Sequence, residues 1–456
     1  MTDLARRLVV RSLGVVTTLA VVSLWVQIDG LIGSRGILPV ALAVPADPWR
    51  APSIVWLWPS DAMLHGLCAL GVALGLFVAS GRGVAGPALL ALWAVYLSLG
   101  NAGQIFLGYQ WDTLLCETLL VVACIARWDP RTERRASPLG VWLVRLTLFK
   151  LMLDSGLVKL TSGDGTWRDG TALAYHYWTQ PIPNPLSWYA HHLPARWHTV
   201  ETYATLLIEI ALPFAMFMGR WGRRAAFVGF SVVLGALFVT GNYGFFQLLS
   251  MVLVLSLLDD ADLGSEPLAE PATRATNALV GTVLAVFLAV GAAMSYGRVL
   301  DYRDLPEPAL AVVRAAHPWR TINAYGLFAN MTEDRPELVI EGSDDGETWT
   351  PYVFRYKPGP LDRTPPVVAP HMPRLDWQLW FAALRSCERA PWVPRLLARL
   401  QAREPAVMGL IANDPFPDGG PRYIRANRVR YAFTDAGADT WRTLGPTQPY
   451  CPVRTR

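Results

Sequence analysis

Charged residues are scarce in this sequence. They make up 17% of its 456 residues, whereas apolar residues reach 52%; an ordinary soluble protein carries about 25% charged residues. The net charge of +4 is small for this length and is spread over short loops, which excludes a basic arm for binding nucleic acid. We therefore predict a polytopic membrane protein that contacts membrane lipids and has no nucleic-acid partner.

Cysteine is also scarce, and its spacing follows no metal or redox motif. Cys68, Cys116 and Cys124 lie in apolar runs, where a thiol usually behaves as a small hydrophobic group. Cys387 and Cys451 belong to the polar C-terminal part and are able to pair if that part faces an oxidising compartment. Two unpaired thiols are the alternative.

The common catalytic signatures are absent from the sequence. It has no phosphate-binding glycine loop, no paired-thiol metal motif, no serine elbow and no HExxH helix. The GSDDGET stretch at 342–348 has the wrong ligand spacing for a calcium loop and fits a β-turn. Adjacent histidines, His191 and His192, point in different directions on any regular element. We therefore predict neither a metal site nor a cofactor.

The sequence has only three lysines, against 37 arginines. Lys150 and Lys159 lie in the apolar run 141–160 together with Asp154. A charged side chain at the centre of a membrane helix costs about 2.5–3.5 kcal/mol. Lys150 and Asp154 share one helical face and are able to neutralise each other, whereas Lys159 lies half a turn away and needs another partner.

Two acidic residues, Glu117 and Glu209, interrupt other apolar runs and are the candidate partners of Lys159. Two roles stay open for them, a structural hydrogen bond between helices or a part in proton transfer. Asn242 and Gln247 lie at a turn between two apolar runs. They either line the same cavity or cap helices.

Apolar runs recur along the first 300 residues. Each approaches the length of about 20 residues that a helix needs to cross the hydrocarbon core. The runs are 8–28, 62–80, 84–106, 112–127, 141–160, 201–219, 224–241, 244–258 and 277–296. They predict eight or nine transmembrane helices, with the first run kept as a span rather than removed as a signal peptide, because it is long and lacks a small-residue cleavage site.

The arginines predict the orientation of these spans. With an inner N-terminus, the inner loops hold Arg82, then the arginines between 127 and 145, and then Arg220, Arg223 and Arg224. This placement satisfies the positive-inside rule. Nine spans then place the C-terminus on the outer side of the membrane. We expect that membrane to be the plasma membrane if the protein is bacterial and the endoplasmic reticulum membrane if it is eukaryotic.

An outer loop over residues 161–200 follows the run that bears the two lysines. Pro181, Pro183 and Pro185 are expected to hold its middle extended. Two interpretations stay open, a packed belt of interfacial aromatic residues or a binding or reaction site. The candidate functional residues of the loop are Trp167, Asp169, Tyr175, His176, Gln180, Asn184, Trp188, His191 and His192.

The C-terminal part has the patterns of a soluble domain. An Asp-Gly pair favours a tight hairpin, and other segments show helical or alternating periodicity. The predicted elements are a hairpin at 337–359, helices at 377–387 and 391–402, and a strand at 422–434. We predict a transmembrane domain over 1–300, which includes the loop 161–200, and an exoplasmic, β-rich α+β domain over 301–456 that buries its own core.

Long stretches of the chain carry a family resemblance. They are WRDGTALAYHYWTQPIPNPLSWYAHHLP at 167–194, TGNYGFFQLLSMVLVLSLLDD at 240–260, and YGLFANMT, RPELVIEGSDDGETW and VAPHMPRLDWQLWFAAL within 325–384. These stretches resemble the lipase maturation factor family. The resemblance implies a polytopic membrane protein that helps homodimeric lipases fold and assemble, with its C-terminal domain in the lumen of the endoplasmic reticulum in eukaryotic members. Secreted lipases would then be its clients.

A shorter stretch, SGLVKL at 155–160 with Trp167 and Gly170, is distantly similar to vitamin K-dependent gamma-carboxylases. In that family the matching lysine is the catalytic base, and the match falls on Lys159. Two hypotheses follow. The preferred one is a non-catalytic, chaperone-like maturation factor. The other is a membrane-embedded enzyme that acts on a lipid-soluble substrate, with Lys159 as base and with Asp154 and Lys150 beside it.

Overall fold

The computed structural model describes residues 3–131, 134–264 and 270–456. Helices form most of the chain up to residue 316, and a small sheet begins at residue 335. The helices are α1 (Asp3–Trp25), α2 (Ile28–Ile32), α3 (Asp61–Ser80), α4 (Ala85–Ala102), α5 (Gln110–Ala123), α6 (Pro138–Thr161), α7 (Gly165–Arg168), α8 (Ala172–Thr179), α9 (Pro185–His191), α10 (Ala195–Ile210), α11 (Leu212–Ala215), α12 (Gly219–Thr240), α13 (Phe246–Val254), α14 (Asp260–Leu263), α15 (Arg274–Val299), α16 (Glu307–Ala316), α17 (Arg374–Ala383), α18 (Trp392–Gln401) and α19 (Pro405–Met408). The strands are β1 (Arg335–Ser343), β2 (Thr350–Pro351), β3 (Tyr423–Phe433) and β4 (Arg442–Thr455).

Short 3-10 helices connect several of these elements. They are Val40–Leu42, Pro48–Arg50, Ile54–Leu57, Gln104–Leu107, Leu255–Leu257, Tyr302–Asp304, His317–Trp319 and Cys387–Arg389. One of them extends α13, so that the apolar helical segment there runs over Phe246–Leu257.

Five helices are long and apolar enough to cross a membrane, namely α1, α3, α4, α12 and α15. The most apolar windows of α12 and α15 are only 22% and 28% buried, which leaves a wide apolar surface that lipid chains are suited to cover. The chain is therefore a multi-pass integral membrane protein with a C-terminal part of different construction.

The other apolar runs also contain helices, but these differ from simple spans. Helix α5 has 14 residues, and α6 has 24 but carries four charged side chains. The predicted run 201–219 is divided, because α10 ends at Ile210 and Pro213 lies in the first turn of the separate helix α11. A proline is accepted in a first helical turn but not in a helix interior.

Small residues bring α1 and α3 into close contact. A Cβ atom on Gly14 would lie 2.5 Å from the backbone N of Ala79, and one on Gly75 would lie 2.4 Å from Oγ1 of Thr18. Both distances are shorter than any ordinary contact. The two glycines therefore let the helix backbones approach, as small residues commonly do between membrane helices.

The segment 161–200 is more regular than the expected loop, because α7, α8, α9 and the start of α10 lie within it. Asn184 caps α9, since its Oδ1 accepts a hydrogen bond from Ser187 N (2.9 Å) while its own N donates to Ser187 Oγ (3.0 Å). Pro185 occupies the first turn of the same helix. The prolines thus separate and start helices here, and residues 180–184 form the non-helical stretch between α8 and α9.

The C-terminal sheet is antiparallel with the order β2-β1-β3-β4. The predicted hairpin is present between β1 and β2, with Gly346 at φ +82°, a backbone conformation that glycine adopts without strain. The sequence prediction missed β4, whose side chains are mostly exposed and which contains Pro446, Pro449 and Pro452. Proline is tolerated in an edge strand. A disulfide joins β4 to the chain after α17, through Cys387 and Cys451.

The C-terminal part is fixed to the helix bundle by a fully buried ion pair. Arg374, at the start of α17, donates from Nη1 to Asp112 Oδ2 (2.9 Å) and from Nη2 to Oδ1 (2.8 Å). Tyr96 OH donates to the same carboxylate (2.7 Å), and Arg374 also donates to the carbonyl of Phe106 (2.7 Å). Gln27 on the far side accepts a hydrogen bond from Arg374 N (2.9 Å). These contacts hold α17 against α4 and α5.

Candidate functional site

Lys159 forms a buried ion pair with Glu209, as one of the alternatives from the sequence predicted. Its Nζ lies 2.6 Å from Glu209 Oε2, donates to the carbonyl of Ser155 (3.1 Å) and lies 5.0 Å from the centre of the Trp167 ring. The pair forms because α6 and α10 approach closely: a Cβ on Gly156 would lie 3.0 Å from Glu209 Cβ. The ammonium is thus surrounded by a carboxylate, a carbonyl and an aromatic face.

A small cavity adjoins this pair. Its volume is about 30 Å³, which is room for about one water molecule. Lys159, Glu209 and Ser155 line it together with apolar side chains that include Phe246 and Phe328. This cavity is too small for a lipid-soluble substrate beside Lys159 Nζ. The contacts of Lys159 are those expected of a structural ion pair.

Lys150 pairs with Glu117 rather than with Asp154. Its Nζ lies 2.6 Å from Glu117 Oε1, and it lies 4.4 Å from the centre of the Phe287 ring of α15. Asp154 accepts instead from Ser295 Oγ of α15 (2.8 Å). The two lysines therefore point to opposite sides of α6, as their spacing of nine residues requires.

Glu117 also binds the segment that leads into the C-terminal part. Its Oε2 accepts hydrogen bonds from Asn323 N (2.8 Å), Asn323 Nδ2 (2.9 Å) and Tyr325 OH (2.7 Å). Both Glu117 and Tyr325 are fully buried. One carboxylate thus neutralises a lysine inside the bundle and fixes the junction between the two parts of the chain.

An aromatic and polar cluster lies beside the Lys159 pair. Tyr243 OH donates to Gln180 Oε1 (2.8 Å) and lies 3.1 Å from His176 Nε2. The Phe328 ring packs edge-on against His176, with ring centres 4.9 Å apart. Burial, followed by the positive charge of Lys159, lowers the pKa of His176 from 6.5 to about 4. His176 in α8 is therefore a neutral, buried hydrogen-bonding partner.

The remaining residues predicted for the segment 161–200 are dispersed. Asp169 is exposed, and Tyr175 and Trp188 are half-buried. His192 lies against the C-terminal sheet, with Nε2 3.0 Å from the carbonyl of Thr434, and the neighbouring His191 packs on Phe433 with ring centres 5.6 Å apart. Both histidines therefore contact the C-terminal end of β3, and their rings are not oriented to share one ligand.

Asn242 and Gln247 have different surroundings. Asn242 bridges to the chain before α17, because its Nδ2 donates to the carbonyl of Pro366 (2.8 Å) and its Oδ1 accepts from Val368 N (2.7 Å). The buried side chain of Gln247 makes no hydrogen bond among the described residues. In the same described part of the chain, no group of three or more His, Cys, Asp or Glu residues is placed to hold a metal ion.

Sequence reasoning missed Arg335, which ties the sheet to the segment after α8. Its guanidinium donates to the carbonyls of Trp178 (3.0 Å) and Pro181 (2.8 Å) and lies 4.6 Å from the centre of the Tyr431 ring. Arg335 is fully buried. The sequence holds 37 arginines, and the local pattern of β1 gives no signal that separates this one from the others.

The Lys159–Glu209 pair predicts an asymmetry between single and double substitutions. Lys159→Met leaves the Glu209 carboxylate buried without a partner, which we expect to lower the free energy of unfolding by about 3–5 kcal/mol. Lys159→Met combined with Glu209→Met removes both charges and is expected to recover most of that loss. Thermal unfolding of the purified protein in detergent measures both. Thr161→Met, at an exposed position on the same helix, is the control, and a double variant no more stable than the single one would contradict a structural pair.

The low pKa of His176 predicts a loss of stability in acid. Since its folded pKa, about 4, lies below the unfolded value of 6.5, the unfolded chain binds more protons between these two pH values. Stability is therefore lost as the pH falls through that window, by about 2 kcal/mol at pH 5 from this residue. The melting temperature of His176→Gln, whose amide is able to reach Tyr243, should fall less steeply between pH 7 and pH 5 than that of the wild type. Parallel curves would contradict the assignment.

Comparison with known proteins covers both parts of the chain. Residues 4–265 match the family model of the lipase maturation factor transmembrane domain, and residues 321–445 match that of the lipase maturation factor C-terminal domain. Lipase maturation factor 2 of Homo sapiens is 35% identical across 95% of this chain and 80% of its own length. Lipase maturation factor 1 of Bos taurus is 32% identical across 98% of this chain and 88% of its own length. No solved structure matches the chain. The resemblance expected from the sequence is confirmed, and the chain belongs to the lipase maturation factor family.

Proposed function

We propose that this protein is a membrane-embedded maturation factor that assists the folding and assembly of secreted lipases. The observation that carries the proposal is the family match, which extends over the membrane part and the C-terminal part together. Relatives named for lipase maturation align with at least 95% of the chain. The similarity to the family therefore includes both the membrane part and the C-terminal part of this chain.

The geometry around Lys159 supports a structural role for this lysine rather than a catalytic one. The hydrogen bonds of Lys159 to Glu209 and Ser155 engage its ammonium group, and the neighbouring cavity of about 30 Å³ has no space for a substrate. No observation on the described residues favours the carboxylase-like alternative. We assign Lys150, Asp154 and Lys159 to the stability of the fold.

The proposal includes an exoplasmic C-terminal domain over residues 301–456 and a membrane domain over 1–300 with eight or nine spans, of which the nine-span arrangement places the C-terminal domain outside. The disulfide between Cys387 and Cys451 supports the outer placement, because disulfides persist in oxidising compartments. At the opposite end of the bundle, Arg145 donates to Asp259 (3.2 Å) and Arg224 donates to Asp262 (2.8 Å). These arginines fit an inner surface under the positive-inside rule.

A test of client maturation compares a deletion strain of the native host with strains that carry the wild-type gene or Lys159→Met/Glu209→Met. We expect the deletion to reduce the specific activity of secreted lipase several-fold while lipase transcript stays constant, because unassembled lipase is inactive. Both genes should restore it, since the paired charges are structural. A secreted enzyme other than a lipase is the control. Unchanged lipase activity in the deletion strain would refute the function.

The orientation is tested by labelling single introduced cysteines in the full chain with a membrane-impermeant maleimide. Val367→Cys, at a 77% exposed position of the C-terminal part, should react in intact cells. Arg82→Cys, between α3 and α4, should react only after permeabilisation. The wild type gives the background of its own thiols, of which Cys68 and Cys116 are buried. Labelling of both positions on one side would contradict the proposed topology.

A further inference from the structure

A cavity of about 540 Å³ opens where the membrane bundle meets the C-terminal part. The start of α5, the end of α15, helix α16 and the junction segment at 323–324 surround it. Its apolar wall includes Met294, Leu310 and Val313. The junction fixed by Glu117 forms its back, because Asn323 lines the cavity and is only 8% exposed.

The cavity is continuous with the lipid-facing surface of α15. Tyr296 and Leu300 at the end of that helix are 42% and 60% exposed, and Tyr302, which lines the cavity, is 38% exposed. Val312 on α16 is 49% exposed. Tyrosine and aliphatic residues at the end of a span are typical of the membrane interface. A lipid chain that covers the end of α15 therefore lies next to Tyr302 at the edge of the cavity.

The polar groups of the cavity suit an anion. Arg314 and His317 line it, and both are exposed. Arg314 also pairs with Glu307 (2.9 Å), but a surface pair is weak and leaves other guanidinium N–H groups free to donate. A cation near the end of α16 also suits the helix dipole, so Arg314 alone indicates no ligand.

The start of α5 adds backbone donors at the same place. Gly108, Tyr109 and Gln110 line the cavity, and no side chain among the described residues caps the first turn of this helix. Uncapped N–H groups at a helix start attract anions. Three acidic side chains in this region have basic partners, since Asp112 pairs with Arg374, Asp301 with Arg303 and Glu307 with Arg314. Cationic side chains and free backbone donors thus meet an apolar wall in one cavity.

We propose that this cavity binds one phospholipid from the leaflet next to the C-terminal part. The phosphate lies between Arg314, His317 and the start of α5, where charge-assisted hydrogen bonds are strongest. The acyl chains lie along Met294, Leu310 and the exposed face of α15. The inference goes beyond lipase maturation and is independent of it, because it requires only the membrane placement of the helices.

Lipid bound here touches the junction itself. Asn323, at the back of the cavity, donates two hydrogen bonds to Glu117, which in turn neutralises Lys150. A ligand that binds the folded chain and not the unfolded chain raises its stability by mass action. Occupancy of the cavity therefore strengthens the attachment of the C-terminal part to the bundle.

The experiment is native mass spectrometry of the full, delipidated chain in detergent, titrated with palmitoyl-oleoyl phosphatidylglycerol. The wild type is expected to retain one lipid molecule more tightly than the other lipid molecules that bind to it. The double variant Arg314→Gln/His317→Gln should weaken that binding at least about tenfold, since it removes charge-assisted contacts. Leu310→Trp should weaken it by filling the cavity. Arg196→Gln, at an exposed arginine outside the cavity, is the matched control and should bind as the wild type does.

The outcomes separate the alternatives. Thermal unfolding without lipid checks that each variant is folded, and the same scan with lipid should show a rise in melting temperature for the wild type and Arg196→Gln only. Equal lipid retention by the double variant and the wild type overturns the proposal. Equal loss in Arg196→Gln also overturns it, because the binding would then be unspecific attraction between charges. Displacement of the retained lipid by millimolar inorganic phosphate would show a free-phosphate site and likewise overturn it.

Discussion

Charges buried inside an apolar bundle need partners, and this requirement organises the structure. Helix α6 brings two ammonium groups into the bundle, and each meets a carboxylate at 2.6 Å, Lys150 at Glu117 of α5 and Lys159 at Glu209 of α10. Removing one member of a buried pair costs about 3–5 kcal/mol, whereas an intact pair roughly balances its own desolvation. The pairs therefore add little net stability but specify which helices are neighbours and in which rotation.

The same principle fixes the C-terminal part. Glu117 has oxygens to spare after binding Lys150, and Asn323 and Tyr325 of the junction use them. Arg374 donates to Asp112 and to the carbonyl of Phe106, which both belong to the bundle. Because these groups are buried on both sides of the interface, the C-terminal part has no room to rotate without exposing unpaired charge.

The sequence was sufficient for features that depend on local pattern. Apolar runs predicted the helices, the Asp-Gly turn predicted the β1–β2 hairpin, and the half-turn offset of Lys159 predicted that it needs a partner other than that of Lys150. Glu209 was a candidate partner of Lys159 because an acidic side chain in an apolar run needs a polar or charged partner on another helix. The eight or nine spans and the functional roles of the site residues remain predictions.

The rest depended on contacts between distant segments. Asp154 lies on the same helical face as Lys150, one turn further along α6. Lys150 nevertheless binds Glu117 of α5, and Asp154 accepts a hydrogen bond from Ser295 of α15. The segment 161–200 looked like a loop because of its prolines, although Pro185 starts a helix there. Strand β4 was missed because an exposed edge strand with three prolines lacks the usual alternation. Arg335 and Arg374 carry no local sign of their burial.

Buried pairs join the membrane bundle and the C-terminal part into one rigid unit. Hydrogen exchange of the full chain in lipid nanodiscs tests this rigidity, by following the backbone amides of residues 320–326 at the junction. We expect the Asn323 amide, which donates to Glu117 at 2.8 Å, to exchange as slowly as the core of α5. Glu117→Gln should accelerate this exchange more than it accelerates exchange in β1 or β3. Exchange of the wild-type junction within seconds, while α5 and β3 stay protected, would show two parts linked by a flexible hinge and would rule out a rigid junction.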